Sequence, residues 1–448
     1  MSDVTAVTYL STVGRSESVD LAEALRRGLA PDGGLYVPAT MPEIHFADLA
    51  GYATLPETAR HVLAPFLAGS ELAADLETIT RESLDLPLPL LEFEAGRSWM
   101  LELFHGPTAA FKDFAARFLA ACMARLRAPD DPPQTIMVAT SGDTGGAVAA
   151  AFHRRPGFRV VILYPAGRVS QRQAHQLGAF GDNVHAFRIA GDFDDCQRLV
   201  KKALGDPELC RALSLTSANS ISIGRLLPQI TYYAHACTQL YRRTSSPIDV
   251  IVPTGNLGNA LACILARSLG LPIGDVILAT NANRTLSEYF AGKDYQGRPG
   301  LATLANAMDV GDPSNFERLA WFFRDRDLRN SCIRAHSVSD AVIKNTIRDF
   351  DQKHGLAICP HTACAVEVLH QRRSFGHFRP HLIAATAHPA KFDEVVEPLL
   401  GRTIDPPPAL AELLSRPSHA EPLASGFEDL RTALEHIESL RPNDRAPC

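Results

Sequence analysis

The chain has 448 residues, of which 46% are hydrophobic and 21% are charged, and its formal net charge is −6. This length predicts roughly two or three domains, and the acidic balance argues against binding nucleic acid or an anionic membrane surface through a basic field. Nine cysteines without a CxxC pair indicate reduced thiols, typical of a cytoplasmic protein, and no metal site is predicted. The first residues lack the apolar core of a secretion signal, and no apolar run reaches membrane-spanning length.

Residues 1–95 are predicted to form an appended N-terminal domain or packing arm. Residues 18–27 have the pattern of a short amphipathic helix that ends at Gly28, and a strand is predicted at 35–37 after a glycine-rich turn. Residues 40–95 mix helical stretches with proline breaks and contain no recognisable chemical motif.

From about residue 96 the pattern changes to a repeated order of strand, glycine-rich turn and helix. Short strands that are apolar throughout are typical of parallel sheets buried on both faces. The alternation predicts an α/β fold with open, mostly parallel sheets and with ligands at the carboxyl ends of the strands. The predicted strands are 135–139, 160–164, 249–252, 276–279 and 381–385.

One internal similarity suggests two related lobes. Residues 140–147 align with residues 253–260, with coincident glycines and with a strand before and a helix after each segment. Two open α/β lobes that face one another, with a ligand in the cleft between the two turns, would explain this similarity. The predicted division is a larger, cofactor-binding lobe (96–120 and 225–405), a smaller lobe (121–224) and a polar, helical C-terminal tail (406–448) that begins in a proline run.

Lys112 is the first candidate for chemistry. It follows the turn at 106–108 and lies near the predicted start of a helix, between Phe111 and Phe114. Partial burial and a positive helix end both disfavour an ammonium, so a neutral, nucleophilic amine becomes accessible. Such an amine is what a Schiff-base enzyme needs. The alternative is a surface lysine that lays its stem over the phenylalanine rings and keeps its charge in water.

A second candidate is the turn formed by Gly255, Asn256, Leu257, Gly258 and Asn259. Glycines between a strand and a helix let backbone N–H groups point inward, which predicts a phosphate site that needs no lysine or arginine. The turn is neither a Walker A motif nor a GxGxxG fingerprint, so neither a nucleoside triphosphatase nor a nicotinamide enzyme is indicated. The alternative is a tight turn with an asparagine cap.

Two further turns carry suitable groups. Ser141 and Thr144 lie in a turn whose hydroxyl and amide donors suit a carboxylate, although a helix cap by serine or aspartate is the alternative. Thr386 follows a predicted strand and places a hydroxyl at the strand end, where ligands bind. The alternative is that this hydroxyl only forms a hydrogen bond to the local backbone. Lys391, five residues later, is the rival to Lys112 as the Schiff-base amine, and its alternative is a solvated charge. Together, the lysine, the glycine turn and the strand-end hydroxyl are the groups that hold pyridoxal phosphate. The amine binds its aldehyde, the turn binds its phosphate, and the hydroxyl binds its ring nitrogen.

With these motifs in order, the chain resembles threonine synthases of the longer bacterial and fungal type, within fold type II of the pyridoxal-phosphate enzymes. The resemblance runs from residues 9–12 and 28–38 to about residue 400. The segments that carry it are 104–114, 141–145, 219–221, 255–259, 312–319 and 386–392.

The resemblance implies a role for each matching residue. Lys112 would form the Schiff base and act as acid and base, and Thr386 would contact the pyridine nitrogen. The cofactor phosphate would be held by Gly255, Asn256, Leu257, Gly258 and Asn259, and Asp143 would lie near the cofactor. The residues implied for the substrate are Ser141 and Thr144 at its carboxylate, and Asn219, Ser220 and Arg225 at its phosphate.

The chain departs from the family pattern in three places. Val13 stands where the family usually has arginine, and Leu257 replaces the commoner phenylalanine of the phosphate turn, where it supplies mainly backbone. Residues 222–224 differ from the usual sequence before Arg225, which bears on the contacts to the substrate phosphate.

The resemblance implies a lyase that converts O-phospho-L-homoserine and water to L-threonine and phosphate, the last step of threonine biosynthesis. A phospho-lyase that releases a 2-oxo acid and ammonia is one alternative, and an inactive relative with a binding or regulatory function is another. The expected partner is a small-molecule substrate, without nucleic acid or membrane, for a cytoplasmic monomer or homodimer.

Overall fold

The computed structural model describes residues 6–439, which divide into two compact units. The first unit contains the residues up to 126 together with 220–407, and the second contains 127–219 together with the residues from 408 onward. No helix among the described residues is both long enough and apolar enough to cross a bilayer.

The elements are numbered in chain order. The strands are β1 (Tyr9–Ser11), β2 (Tyr36–Pro38), β3 (Leu90–Glu94), β4 (Ser98–Glu102), β5 (Gln134–Ala139), β6 (Phe158–Pro165), β7 (Val184–Ile189), β8 (Leu215–Thr216), β9 (Ile248–Pro253), β10 (Ile273–Thr280), β11 (Ile333–Ser337), β12 (His381–Ala385) and β13 (Glu421–Leu423). The α-helices are α1 (Leu21–Arg27), α2 (Leu55–Leu67), α3 (Leu76–Leu84), α4 (Lys112–Arg125), α5 (Asp143–Phe152), α6 (Gln171–Gly178), α7 (Phe193–Leu204), α8 (Pro207–Leu213), α9 (Ile223–Thr244), α10 (Gly258–Ser268), α11 (Thr285–Phe290), α12 (Phe316–Phe322), α13 (Asp340–His354), α14 (Pro360–Ser374), α15 (Asp393–Leu400), α16 (Pro408–Ser415) and α17 (Phe427–Ser439). Short 3₁₀ helices lie at Phe46–Leu49, Glu71–Asp75, Asn306–Met308, Leu328–Asn330 and Pro389–Phe392.

The first unit is organised around a six-stranded sheet with the order β11-β10-β9-β12-β4-β3. All neighbours run parallel except the edge strand β3, which pairs antiparallel with β4. The central strands β9 and β12 are buried along their whole length, as expected for parallel strands covered by helices on both faces. Because β4, β12 and β9 are adjacent and parallel, the segments that follow them emerge at one edge of the sheet. These segments carry Lys112, Thr386 and the turn at 255–259.

The second unit contains a five-stranded parallel sheet with the order β13-β7-β6-β5-β8. Its core combines sheet residues such as Val161 with apolar residues of α7 and α17, including Leu199 and Leu430. The carboxyl end of β5 leads into the turn that contains Ser141 and then into α5.

The predicted α/β class with mostly parallel sheets is confirmed, and the five predicted strands correspond to β5, β6, β9, β10 and β12. The predicted ligand cleft between two lobes remains a prediction.

The compact units differ from the predicted domain boundaries. Residues of the predicted arm 1–95 belong to the first unit, where Arg117 of α4 donates to the Ser83 carbonyl over 2.9 Å. The predicted break at 120 falls inside α4, whose continuous backbone hydrogen bonding extends it to Arg125. Residues 408–439 of the predicted tail are part of the second unit, because β13 pairs with β7 and the apolar face of α17 joins the core.

Candidate active site

The turn that leads from β4 to Lys112, the first residue of α4, is tied to the segment after β12. The Phe111 N–H donates to the Thr386 carbonyl over 2.8 Å, and the His388 N–H donates to the Ala109 carbonyl over 3.1 Å. These bonds bring the start of α4 beside Thr386. Ala109 has a φ of 55°, a left-handed conformation that strains a residue with a Cβ and is enriched at functional sites.

The Lys112 side chain is half-buried, and its Nζ lies 5.8 Å from the centroid of the Phe111 ring. At the first position of a helix, the partial positive charge of the unpaired N–H groups opposes an ammonium. Partial burial acts in the same direction, because it penalises the charged form. The role of this amine as the Schiff-base nucleophile remains a prediction.

Asp113 holds the same turn from inside the protein. Its two carboxylate oxygens accept hydrogen bonds from the Thr108 N–H over 2.9 Å and from the Thr108 hydroxyl over 2.6 Å. Burial raises the pKa of Asp113, and the bonds from Thr108 act in the opposite direction. Gly106 allows this arrangement, because a Cβ at that position would lie 2.4 Å from a carboxylate oxygen of Asp113.

Lys391 is not the solvated charge that the sequence allowed. The residue is 1% exposed, and its Nζ donates to the Thr108 carbonyl over 2.7 Å. All three polar groups of Thr108 are therefore bonded, two to Asp113 and one to Lys391. The solvated alternative for Lys391 is wrong, because contact with a turn 283 positions away in the chain buries the amine.

The turn at 255–259 follows β9 and ends in α10. A Cβ at Gly255 would lie 2.7 Å from the Met308 Cα, so the backbone approaches too closely for a side chain. Leu257 adopts a φ of 63°, which strains a residue with a side chain by about 1–2 kcal/mol. Its side chain is fully buried, so the residue offers mainly its backbone to a ligand. The first N–H groups of α10 lack partners within the helix and can bind an anion.

Asn256 joins this turn to two other segments of the first unit. Its Nδ2 donates to the Ser220 hydroxyl over 2.8 Å, and its Oδ1 accepts from the Ser314 N–H over 2.6 Å. Its carbonyl accepts from the Asn315 Nδ2 over 3.0 Å. The structure therefore brings Ser220, predicted at the substrate phosphate, to the predicted cofactor-phosphate turn.

The side chain of Asn259 shows whether the turn can bind an anionic ligand. Its Oδ1 accepts from the hydroxyls of Tyr232 (2.5 Å) and Tyr233 (2.8 Å). Its Nδ2 is buried and has no hydrogen-bond partner among the described residues. A buried donor without a partner costs about 1–3 kcal/mol, which a phosphate oxygen within reach would recover. The residues present therefore fit a phosphate-bearing cofactor.

Arg225 lies near the start of α9 and is 2% exposed. Burial lowers its pKa to about 10, whereas the charge of Asp113 acts to raise it. Asp113 thus influences a guanidinium on α9 while holding the turn before Lys112. Arg225 belongs to the same unit as Ser220.

In the turn after β5 in the second unit, the N–H groups at the start of α5 are bound by Thr140, and not by the serine that the alternative interpretation named. The Thr140 hydroxyl accepts hydrogen bonds from the Gly142 and Gly145 N–H groups, both over 2.9 Å. Ser141 therefore does not cap α5. Asp143, the first residue of α5, is buried and accepts from the Gln173 Nε2 over 2.8 Å.

Comparisons with known proteins agree with this geometry. The family model described as pyridoxal-phosphate dependent enzyme matches residues 86–387, and models of the threonine synthase N terminus and C-terminal part match 8–84 and 362–434. The threonine synthase of Serratia marcescens is 40% identical over 421 residues, which cover 94% of this chain and 97% of that protein. The chain belongs to the threonine synthase family.

Solved structures of threonine synthases match over nearly the whole chain. The crystal structure from Escherichia coli has a TM-score of 0.88 and 38% identity, and covers 96% of this chain and 99% of that one. The pyridoxal-phosphate-bound structure from Brucella melitensis has a TM-score of 0.88 and 36% identity, and covers 97% of this chain and 100% of that one. These likenesses confirm the predicted family and fold type.

Within this threonine synthase fold, the predicted residues divide between the two units. Lys112, Thr386, Ser220, Arg225 and the turn at 255–259 belong to the first unit. Hydrogen bonds join the turn before Lys112 to Thr386, and join Asn256 to Ser220. The other predicted residues, Ser141, Asp143, Thr144 and Asn219, belong to the second unit. The roles of the predicted residues in both units remain predictions.

Sequence reasoning missed several supporting residues. Thr108 and Asp113 hold the turn before Lys112, and Asn315 holds the carbonyl of Asn256. Each lies inside a segment that carries the family resemblance, so the sequence marks these residues as part of a motif. It does not show which residues they contact, since Asn315 is 59 positions from Asn256 in the chain.

Lys391→Met is expected to retain the yellow colour of bound pyridoxal phosphate and to reduce turnover by about tenfold to a hundredfold. The substitution removes a charge-assisted hydrogen bond to the turn before Lys112, typically worth about 1.5–3 kcal/mol. Absorbance spectra and the pH profile of kcat provide the measurement. Lys344→Met, which neutralises an exposed lysine of α13, is the control. A colourless Lys391→Met protein would instead make Lys391 the Schiff-base residue.

Proposed function

We propose that this protein is a pyridoxal-phosphate-dependent threonine synthase, which converts O-phospho-L-homoserine and water to L-threonine and phosphate. The main structural support is that the segments after β4, β12 and β9 emerge at one edge of the sheet. A hydrogen bond from Phe111 to Thr386 joins the first two of these segments. Membership of the family supports the same reaction.

In this proposal, each part of the cofactor has its own holder. The backbone N–H groups of residues 255–259 would bind its phosphate, the Lys112 amine would bind its aldehyde, and the Thr386 hydroxyl would contact its ring nitrogen. The family resemblance also assigns Asp143 to the cofactor. When bound, pyridoxal phosphate would withdraw electrons from the substrate, which makes the proton on the α-carbon, the carbon that bears the amine, acidic.

Lys112 moves the protons. Its Nζ would accept the α-proton of the substrate and later return a proton, in the role of a general acid and base. Asp113 and Lys391 act by holding Thr108, so the turn that delivers Lys112 is ordered before substrate arrives.

The substrate is held at its two anionic ends. Ser141 and Thr144 offer hydroxyl and backbone donors to the carboxylate, and Asn219, Ser220 and Arg225 bind the phosphate that leaves. Ser220 already bonds to Asn256, which supports adjacent sites for the two phosphate groups. A neutral hydroxyl and a guanidinium stabilise the charge of the departing phosphate.

We place this reaction in the cytoplasm, carried out by a monomer or homodimer on a small-molecule substrate without a nucleic acid partner. The described cysteines are all free thiols, which supports a reducing compartment.

Product analysis tests the proposed reaction. Incubation of the purified protein and pyridoxal phosphate with O-phospho-L-homoserine is expected to yield L-threonine and inorganic phosphate in equal amounts. Chromatographic quantification of amino acids, with a colorimetric phosphate assay, provides the measurement. Release of 2-oxobutyrate and ammonia in place of threonine would identify a phospho-lyase. A colourless protein that does not bind pyridoxal phosphate would identify a binding or regulatory relative.

A further inference from the structure

Arg318 on α12 is an unusual charge inside the first unit. The residue is 0% exposed, and its guanidinium donates from Nε to the Tyr36 carbonyl over 3.0 Å and from Nη1 to the Asn315 Oδ1 over 2.9 Å. Both acceptors are neutral. Its Nη2 is buried and has no hydrogen-bond partner among the described residues. Fully buried arginines are normally paired with an anion, because removing the charge from water is costly.

No described carboxylate supplies that anion. Glu317 is the nearest charge to act on Arg318, but its exposed carboxylate accepts a hydrogen bond from the Thr12 hydroxyl. Burial lowers the pKa of Arg318 to about 9, and the charge of Glu317 only partly opposes this effect. By contrast, the buried Arg372 forms ion pairs with Asp249 and Asp275. Arg318 is therefore a buried cation that lacks a counter-charge within the described residues.

The position of Arg318 indicates where the missing anion binds. Asn315, which accepts from the guanidinium, donates its Nδ2 to the Asn256 carbonyl over 3.0 Å. Two consecutive hydrogen bonds thus connect the charge of Arg318 to the backbone of the turn at 255–259. That turn contains no lysine or arginine, although a phosphate monoester carries a charge of about −1.5 to −2 at neutral pH.

We propose that Arg318 is the counter-charge of the phosphate group bound at residues 255–259 and acts through Asn315. The inference rests on the proposed function, since it takes that phosphate to belong to pyridoxal phosphate. The backbone N–H groups supply the contacts, and Arg318 supplies the charge that they lack. Because Tyr36 in β2 holds the guanidinium, the N-terminal residues take part in cofactor affinity without contacting the cofactor.

Pyridoxal, which is the cofactor without its phosphate group, gives a direct test of the counter-charge role. It has the same aldehyde and ring but places no anion at the turn. The experiment measures the affinity of the apoenzyme for pyridoxal phosphate and for pyridoxal by absorbance titration. For Arg318→Met, affinity for pyridoxal phosphate is expected to fall about tenfold or more, while affinity for pyridoxal changes less than about twofold. Arg326→Met removes one charge from an exposed position just beyond α12 and is expected to leave both affinities unchanged.

Arg318→Lys distinguishes the effect of the positive charge from the effect of the guanidinium geometry. It also provides a test if Arg318→Met does not fold. Lysine keeps the positive charge but cannot donate to Tyr36 and Asn315 in the same planar geometry. The ratio of the two affinities is expected to stay within about threefold of the ratio for the unsubstituted protein, because the counter-charge persists. A collapse of this ratio in the lysine variant would overturn the counter-charge role.

Two other outcomes would also reject the inference. Equal weakening of both ligands in Arg318→Met would show that Arg318 only supports the fold, and unchanged affinities would show that its charge does not reach the turn. Failure of the proposed function looks different, because the unsubstituted apoenzyme would then not bind pyridoxal phosphate at all.

Discussion

Lys112→Ala is expected to remove the yellow colour of the purified protein and to lower threonine formation by about 10³-fold or more. The variant lacks both the amine that binds the cofactor aldehyde and the group that moves the α-proton, and proton transfer alone typically contributes about 10²–10⁴-fold. Absorbance spectra of the reconstituted protein and single-turnover assays with O-phospho-L-homoserine provide the measurement.

Lys344→Ala is the matched control, because it removes an exposed lysine from a helix and should leave colour and rate unchanged. Retained colour and turnover in Lys112→Ala would contradict the assignment and transfer it to Lys391. The structure argues against that transfer, since the Lys391 amine is buried against the Thr108 carbonyl.

Gly255→Ala is expected to weaken pyridoxal-phosphate binding by at least about a hundredfold. Its Cβ would lie 2.7 Å from the Met308 Cα and 3.1 Å from the Met308 carbonyl carbon. Backbone atoms cannot rotate away as the end of a side chain can, so the turn or the Asn306–Met308 helix must move. A displacement of about 1 Å at a preorganised site is enough for an effect of this size. Absorbance titration of the apoenzyme measures it.

Gly51→Ala is the control for the added methyl group, because a Cβ at Gly51 would meet no atom within 4 Å. Circular dichroism of both variants separates a local change of the turn from loss of the fold. Binding of pyridoxal phosphate by Gly255→Ala with unchanged affinity would show that the turn does not hold the cofactor phosphate.

The elements that sequence patterns predicted best are those whose signal is local. The strands β5, β6, β9, β10 and β12 are short apolar runs bounded by turn residues, and the helix after Lys112 shows its apolar period directly. Edge strands such as β13 gave no such signal, because Glu421–Leu423 contains a glutamate and a proline. Its pairing with β7 depends on contact with residues more than two hundred positions earlier.

The environment of single side chains was the least accessible feature. Lys391 and Arg318 are charged residues that composition places at the surface, yet both are buried. Thr140, rather than the neighbouring Ser141, accepts the N–H groups at the start of α5. Three-dimensional packing decides which of two adjacent hydroxyls faces a helix start.

The amino-acid sequence by itself determined the family, the α/β class, the turn at 255–259 and the candidacy of Lys112, because motif order and hydrophobic period are properties of the chain alone. Only the tertiary structure decided that Asp113 and Lys391 grip Thr108, that Asn256 joins three segments, and that Arg318 is buried without an anion. These features come from residues distant in the chain, and the pairing of such residues is specified by packing and not by local pattern.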